Sequence, residues 1–188
     1  MLNLRPETED PPQVAQLRRD LLNRLDSLHK RQRPAQPNLD ARIASYELAA
    51  RMQMSATDAL DLSQETRETQ ELYGIGREPT DSYGRRCLIA RRLVERGVRF
   101  VQLYINAQIW DNHTALATDM KSACDRTDLP IAGLLHDLKQ RGLLDETLVV
   151  LISEMGRGPL SAPPWGRGHW SHAFPAVLAG GGIKRGLV

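Results

Sequence analysis

Between residues 98 and 153 the chain changes character twice, and this succession narrows its fold more than any other feature. "VRFVQLYI" (98–105) is short, β-branched and aromatic, which is strand chemistry. A long helical stretch then runs from Thr114 to Arg141. Within it Pro130 lacks the N–H a helix needs and imposes a break or a new first turn, with Asp128 as its cap. "DETLVVLIS" (145–153) reads as a second strand, apolar on both faces. Strand, helix and a doubly apolar strand make the βαβ unit of a parallel sheet, whose crossover is right-handed as a rule. "AFPAVLAG" (173–180) supplies a third strand.

Upstream, residues 11–97 follow a helical pattern. "QVAQLRRDLLNRLDSLHKR" spaces Val14, Leu17, Leu21, Leu25 and Leu28 by threes and fours, with basic residues on the outer face, so the first helix is amphipathic. Pro34 and Pro37 break it, and Asn38 or Asp40 can cap a second helix whose Ile43, Leu48, Met52 and Met54 supply apolar contacts. A third helix lies between Ser63 and the stop at Gly74, and a fourth ends on Gly97. The chain therefore divides into a helical segment, 1–97, and an α/β part, 98–188.

Composition sets the outer bounds. At 188 residues and 41% hydrophobic the chain can bury a real core. Its 25 basic and 23 acidic residues leave a net charge of only +2, too small a field to ask for nucleic acid. No apolar stretch approaches the ~20 residues of a membrane span. The first residues, "MLNLRPETEDPPQ", are charged and proline-broken where a signal peptide would be apolar. Cys87 and Cys124 fall in helical segments without CxxC spacing and read as small buried hydrophobes.

Parallel strands release their following loops on one sheet edge, where open α/β sheets bind ligands. The first strand would exit toward Asp111 and His113, and the second directly onto Glu154 and Arg157, with His169 and His172 in reach. Carboxylates with imidazoles are ligands for Zn²⁺, or for Mn²⁺ and Mg²⁺ where oxygens dominate. Each piece also has a plainer reading. Asp111, Asn112 or Thr114 can cap the next helix, and Glu154 can be a loop acid paired with Arg157. All three tryptophans, Trp110, Trp165 and Trp170, fall in these two loops, either as packing or as an aromatic wall around a pocket.

The ordered set "RRCLIARRLVERGVRFVQLY", "WDNH", "PIAGLLHDLKQRGLLDETLVVLISEMGRGP" and "GRGHWSHAFPAVLAGGGIKRG" resembles the domain of unknown function 1501 family, sulfatase-like proteins of the alkaline-phosphatase-like superfamily. The upstream helical part looks like the same family, so the resemblance covers nearly the whole chain. It implies an α/β fold: an α/β/α sandwich around a mostly parallel sheet, preceded by the helical segment and here an incomplete domain. It also implies a divalent-metal hydrolase site (zinc, calcium, magnesium or manganese) acting on small-molecule or polysaccharide esters of sulfate or phosphate, in a full-length protein that is exported. The family's "WDTH"-like motif falls on 110–113, which nominates Asp111 and His113 as ligands. Its "TEFGRTP"-like motif nominates Glu154 as a ligand and Arg157 as an anchor for substrate or for Glu154, and its "GRDHW"-like motif nominates His169. Gly168 stands where the family pattern has an acid, and the superfamily's early nucleophile has no counterpart here. The expectation is thus a metal-holding part of such a hydrolase, inactive alone. The alternative is a noncatalytic module that binds a partner through its amphipathic helices.

Overall fold

Helix periodicity and its stop signals account for most of the regular structure. The computed structural model describes residues 10–33, 36–159, 165–184 and 186, apart from the side chains of 37 and 51–56. The charged start (1–9), the break at Pro34 and the apolar contacts of Met52 and Met54 lie outside the described residues. The chain forms two compact units, Met1–Leu60 and Asp61–Val188.

In the first unit, helix α1 (Pro12–Arg31) begins on prolines, whose missing N–H costs nothing in a first turn, and ends on His29, Lys30 and Arg31, which suit the negative end of its dipole. Its apolar residues Val14, Leu17, Leu21, Leu25 and Leu28 remain exposed. Helix α2 spans Pro37–Leu60 with Asp40 in its first turn, and Lys30 pairs with Asp40.

The second unit opens with a 3₁₀ turn, Leu62–Gln64, capped by the Asp61 carboxylate, and helix α3 (Arg67–Leu72), capped by Thr66. Helices α4 (Asp81–Glu95) and α5 (Leu116–Gln140) then pack together. Gly142, at a φ of +71°, closes α5. Its N–H donates to Lys139 O (3.1 Å), and that of Leu143 donates to Leu138 O (2.9 Å). These are the paired bonds of a Schellman stop. The break expected at Pro130 does not occur, because α5 runs through it. Pro130 is fully buried, and its packing offsets the single hydrogen bond the ring forfeits.

The core joins Leu62, Tyr73, Ile75, Cys87 and Leu88 to Leu134 and Leu138 on α5. Burial pushes the Cys87 thiol up to about 12, and both cysteines are free. Sequence periodicity gave no warning of the charged network that runs beside this core. Arg91, 1% exposed, stands 2.9 Å from Asp137 and 2.6 Å from both Glu65 and Glu95. Arg92 also pairs with Glu65, Arg141 reaches Asp137 at 2.7 Å, and the Tyr73 hydroxyl donates to Asp137 at 2.9 Å.

The expected α/β/α sandwich around a mostly parallel sheet is not the fold. Strand β1 (Leu148–Ile152) pairs antiparallel with β4 (Ala176–Gly180), in a register that sets Val150 opposite Leu178. Between them β2 (Gly156–Arg157) pairs antiparallel with β3 (His169–Trp170). The two ladders are nested in sequence, so the described parts of 148–180 make one interrupted hairpin, and no βαβ crossover forms among the described residues. The strand expected at 98–105 does not form: these residues join no ladder, and the chain bends at Arg99. They are held instead by Arg86, whose guanidinium donates to Tyr104 O (2.6 Å) and to Asn106 Oδ1 (3.1 Å). An apolar run on both faces suits a buried parallel strand, but it does not fix direction. Here the returning chain supplies the partner, and Leu148, Val150, Leu151 and Ile152 stay exposed while Val149 packs on the core. Among the described residues no helix is long and apolar enough to cross a membrane.

Candidate metal centre

The outer half of the hairpin docks on the segment that precedes α5, and backbone bonds do the docking. The N–H of Arg167 donates to Asn112 O (2.8 Å), and that of Leu116 donates to Trp165 O (3.0 Å). Thr114 and Trp165 form an antiparallel bridge. Ala115 and Trp165 accept left-handed φ values of 46° and 61° at this joint, which non-glycine residues adopt only under constraint. Gly166 permits the approach, since a Cβ there would stand 1.8 Å from His113 O.

This docking brings His169, from β3, against Asp111 and His113. Asp111 Oδ1 lies 3.0 Å from His113 Nε2 and 3.2 Å from His169 Nε2, and the two Nε2 atoms are 3.2 Å apart. Arg157, from β2, donates to the same Oδ1 at 2.5 Å. That guanidinium first, and the His169 hydrogen bond second, hold the Asp111 carboxyl below the usual carboxylate range, so it is an anion at neutral pH. Ligand atoms about 2.0–2.1 Å from a tetrahedral zinc are about 3.3 Å from one another. The observed triangle, with edges of 3.0–3.2 Å, matches one face of such a shell. Two imidazoles and one carboxylate favour zinc over magnesium or calcium, which prefer oxygen alone.

Of the five sequence candidates, Asp111, His113 and His169 converge as one three-ligand cluster. Arg157 joins them through Asp111. Glu154 does not enter the triangle: its side chain is 71% exposed, and Oε1 faces Arg157 Nη2 at 3.8 Å. His172 packs edge-on against Trp170, with centroids 5.7 Å apart.

Sequence reasoning missed two participants. Asn112 is buried, and among the described residues its Nδ2 has no hydrogen-bond partner. Arg167 donates to the carbonyls of Gly158 (2.8 Å) and Pro159, and so shapes the turn that carries His169. Position 168 is open, and a Cβ there would meet nothing within 4 Å. The family model described as protein of unknown function, DUF1501, matches residues 1–188. No curated protein and no solved structure matches the chain.

Proposed function

Because the chain belongs to the DUF1501 family, whose description names no activity, we propose one from the site: it holds the catalytic cation of a sulfatase-like hydrolase acting on sulfate or phosphate esters. The observation that carries this reading is the triangle of Asp111 Oδ1, His113 Nε2 and His169 Nε2, with edges of 3.0–3.2 Å. A divalent cation at such a site polarises an ester oxygen or acidifies a bound water. The residues do the positioning. Asp111 and the two imidazoles would hold the ion, and Arg157 orients Asp111 while its second guanidinium nitrogen stands 3.8 Å from the exposed Glu154. For this chain the proposal is therefore made first for cation binding at the triangle.

Calorimetric titration with Zn²⁺ tests the reading. One ion per chain is expected, and His113→Ala or His169→Ala should each weaken it at least about 100-fold. Glu154→Ala should leave the affinity within a few-fold. Acidification should release the ion, because a coordinating imidazole must be deprotonated. A folded chain that takes up no zinc, or takes it up equally well as His169→Ala, defeats the proposal. The second reading, a partner-binding module, would then stand. It is favoured by the exposed apolar stripe Val14, Leu17, Leu21, Leu25 and Leu28 on α1.

A further inference from the structure

Helix α1 presents an apolar stripe that stands open among the described residues. Val14, Leu17, Leu21, Leu25 and Leu28 are between 38% and 67% exposed, and Leu22 beside them is 59% exposed. No residue of α1 is buried. A scattered leucine on a surface needs no explanation, whereas a continuous apolar face about 20 Å long marks an interaction site.

The charges of the helix say what it meets. α1 holds Arg18, Arg19, Arg24, Lys30 and Arg31 against Asp20 and Asp26, a larger positive excess than the +2 of the entire chain. Their placement matters more than their number. At about 3.6 residues per turn, Arg24 and Arg31 border the stripe on one side, Arg18 and His29 on the other with Leu22 just beyond, and both aspartates lie farther round. Arg18 pairs with Asp10 at the surface, a contact of little energy that another anion can replace. Arginine stems at such borders can lie along apolar material while their guanidinium groups reach phosphates above it.

Two other occupants fit less well. In a second copy, paired in either orientation, cationic flank would meet cationic flank; antiparallel about Leu21, Arg18 of one helix faces Arg24 of the other. A protein groove is anchored as a rule by aromatic side chains that fill pockets, and this stripe has only valine and leucine. Aliphatic side chains suit fluid acyl chains, which need no shaped partner.

We propose that α1 lies in the interface of an anionic lipid bilayer, with its leucines among the acyl chains and Arg18, Arg24 and Arg31 at the lipid phosphates. It holds the chain on a membrane that it does not cross. The inference is independent of the cation site, since zinc uptake and membrane binding are measured separately and either can fail alone.

The test is sedimentation of the full chain with vesicles of phosphatidylcholine containing about a third phosphatidylserine, which should bind it at least about tenfold more tightly than vesicles of phosphatidylcholine alone. Added salt should weaken the binding. Leu21→Gln with Leu25→Gln, both at exposed positions, should lower it at least about tenfold. Arg18→Gln with Arg24→Gln should lower it about 30-fold, roughly fivefold for each cation at the surface. Circular dichroism of each variant checks that the helices persist. A folded chain that ignores anionic vesicles, binds both kinds equally, or binds as well with either pair of substitutions overturns the inference. A dimer in solution that Leu21→Gln with Leu25→Gln dissolves, without vesicle binding, assigns the stripe to a second copy and overturns it too. A monomer without vesicle binding does the same and leaves a protein groove as the occupant.

Discussion

Arg91 carries a permanent charge into the interior and is met there by Glu65, Glu95 and Asp137, with its side chain 1% and that of Asp137 0% exposed. Burial is the largest single influence on Asp137 and would raise its pKa. Hydrogen bonds from Arg141, Gln140 and Tyr73 together with the charge of Arg91 outweigh it, and the net shift is downward. Glu65 is lowered in the same way, through Arg91 and Arg92 against desolvation. A carboxyl with a depressed folded-state pKa contributes stability that is complete above its unfolded value and is lost as pH falls through the folded one. Urea midpoints should therefore hold steady from pH 7 to about 5 and decline below about pH 4. Asp137→Ala should cost about 1–3 kcal/mol at neutral pH, because it leaves the buried Tyr73 hydroxyl and one edge of the Arg91 guanidinium without their acceptor, and should flatten the acid decline. A variant within 1 kcal/mol of the parent would show that Arg91 finds other compensation.

At the scale of elements, the interrupted hairpin 148–180 does the work that a crossover was expected to do. Two of its glycines, two residues apart, should behave oppositely. Gly166→Ala drives a Cβ to 1.8 Å from His113 O and must separate the hairpin from the loop that carries Asp111 and His113, whereas Gly168→Ala meets nothing within 4 Å. The first should cost about 1–3 kcal/mol and lower zinc affinity, and the second should do neither. Thermal melts and zinc titration of both variants check this, and equal behaviour would mean that the docking is dispensable. The helices were legible in sequence because leucines at spacings of three and four, and glycines such as Gly97 and Gly142, declare both face and end. Strand direction was not, since Val149, Val150 and Leu151 look the same in either orientation and only the returning segment from Ala176 decides it. The site was legible in part. "WDNH" and "GRGHW" carry the three converging residues, but Glu154 follows a strand without reaching the cluster, and the isolation of Asn112 arises from burial that no spacing reports.

For the second unit as a whole, the triangle ties together distant parts of the chain. His113 and His169 lie 56 residues apart, and between them run all of α5 and the outgoing half of the hairpin. A cation shared by the two rings is a reversible cross-link, and it draws on loop-closure entropy as a disulfide does, up to about 4 kcal/mol for a loop of this length. Zinc at a hundred times its dissociation constant should stabilise the fold by about 2.7 kcal/mol. Hydrogen exchange should slow most at the amides of Leu116, Gly158 and Arg167, which bond across the joint or within the hairpin tip. His169→Ala should lose both effects, and unchanged exchange at those amides would refute the idea. If the proposed ion binds there, it would hold the two ends of this loop together without a disulfide and make the joint between hairpin and loop responsive to the supply of a single ion.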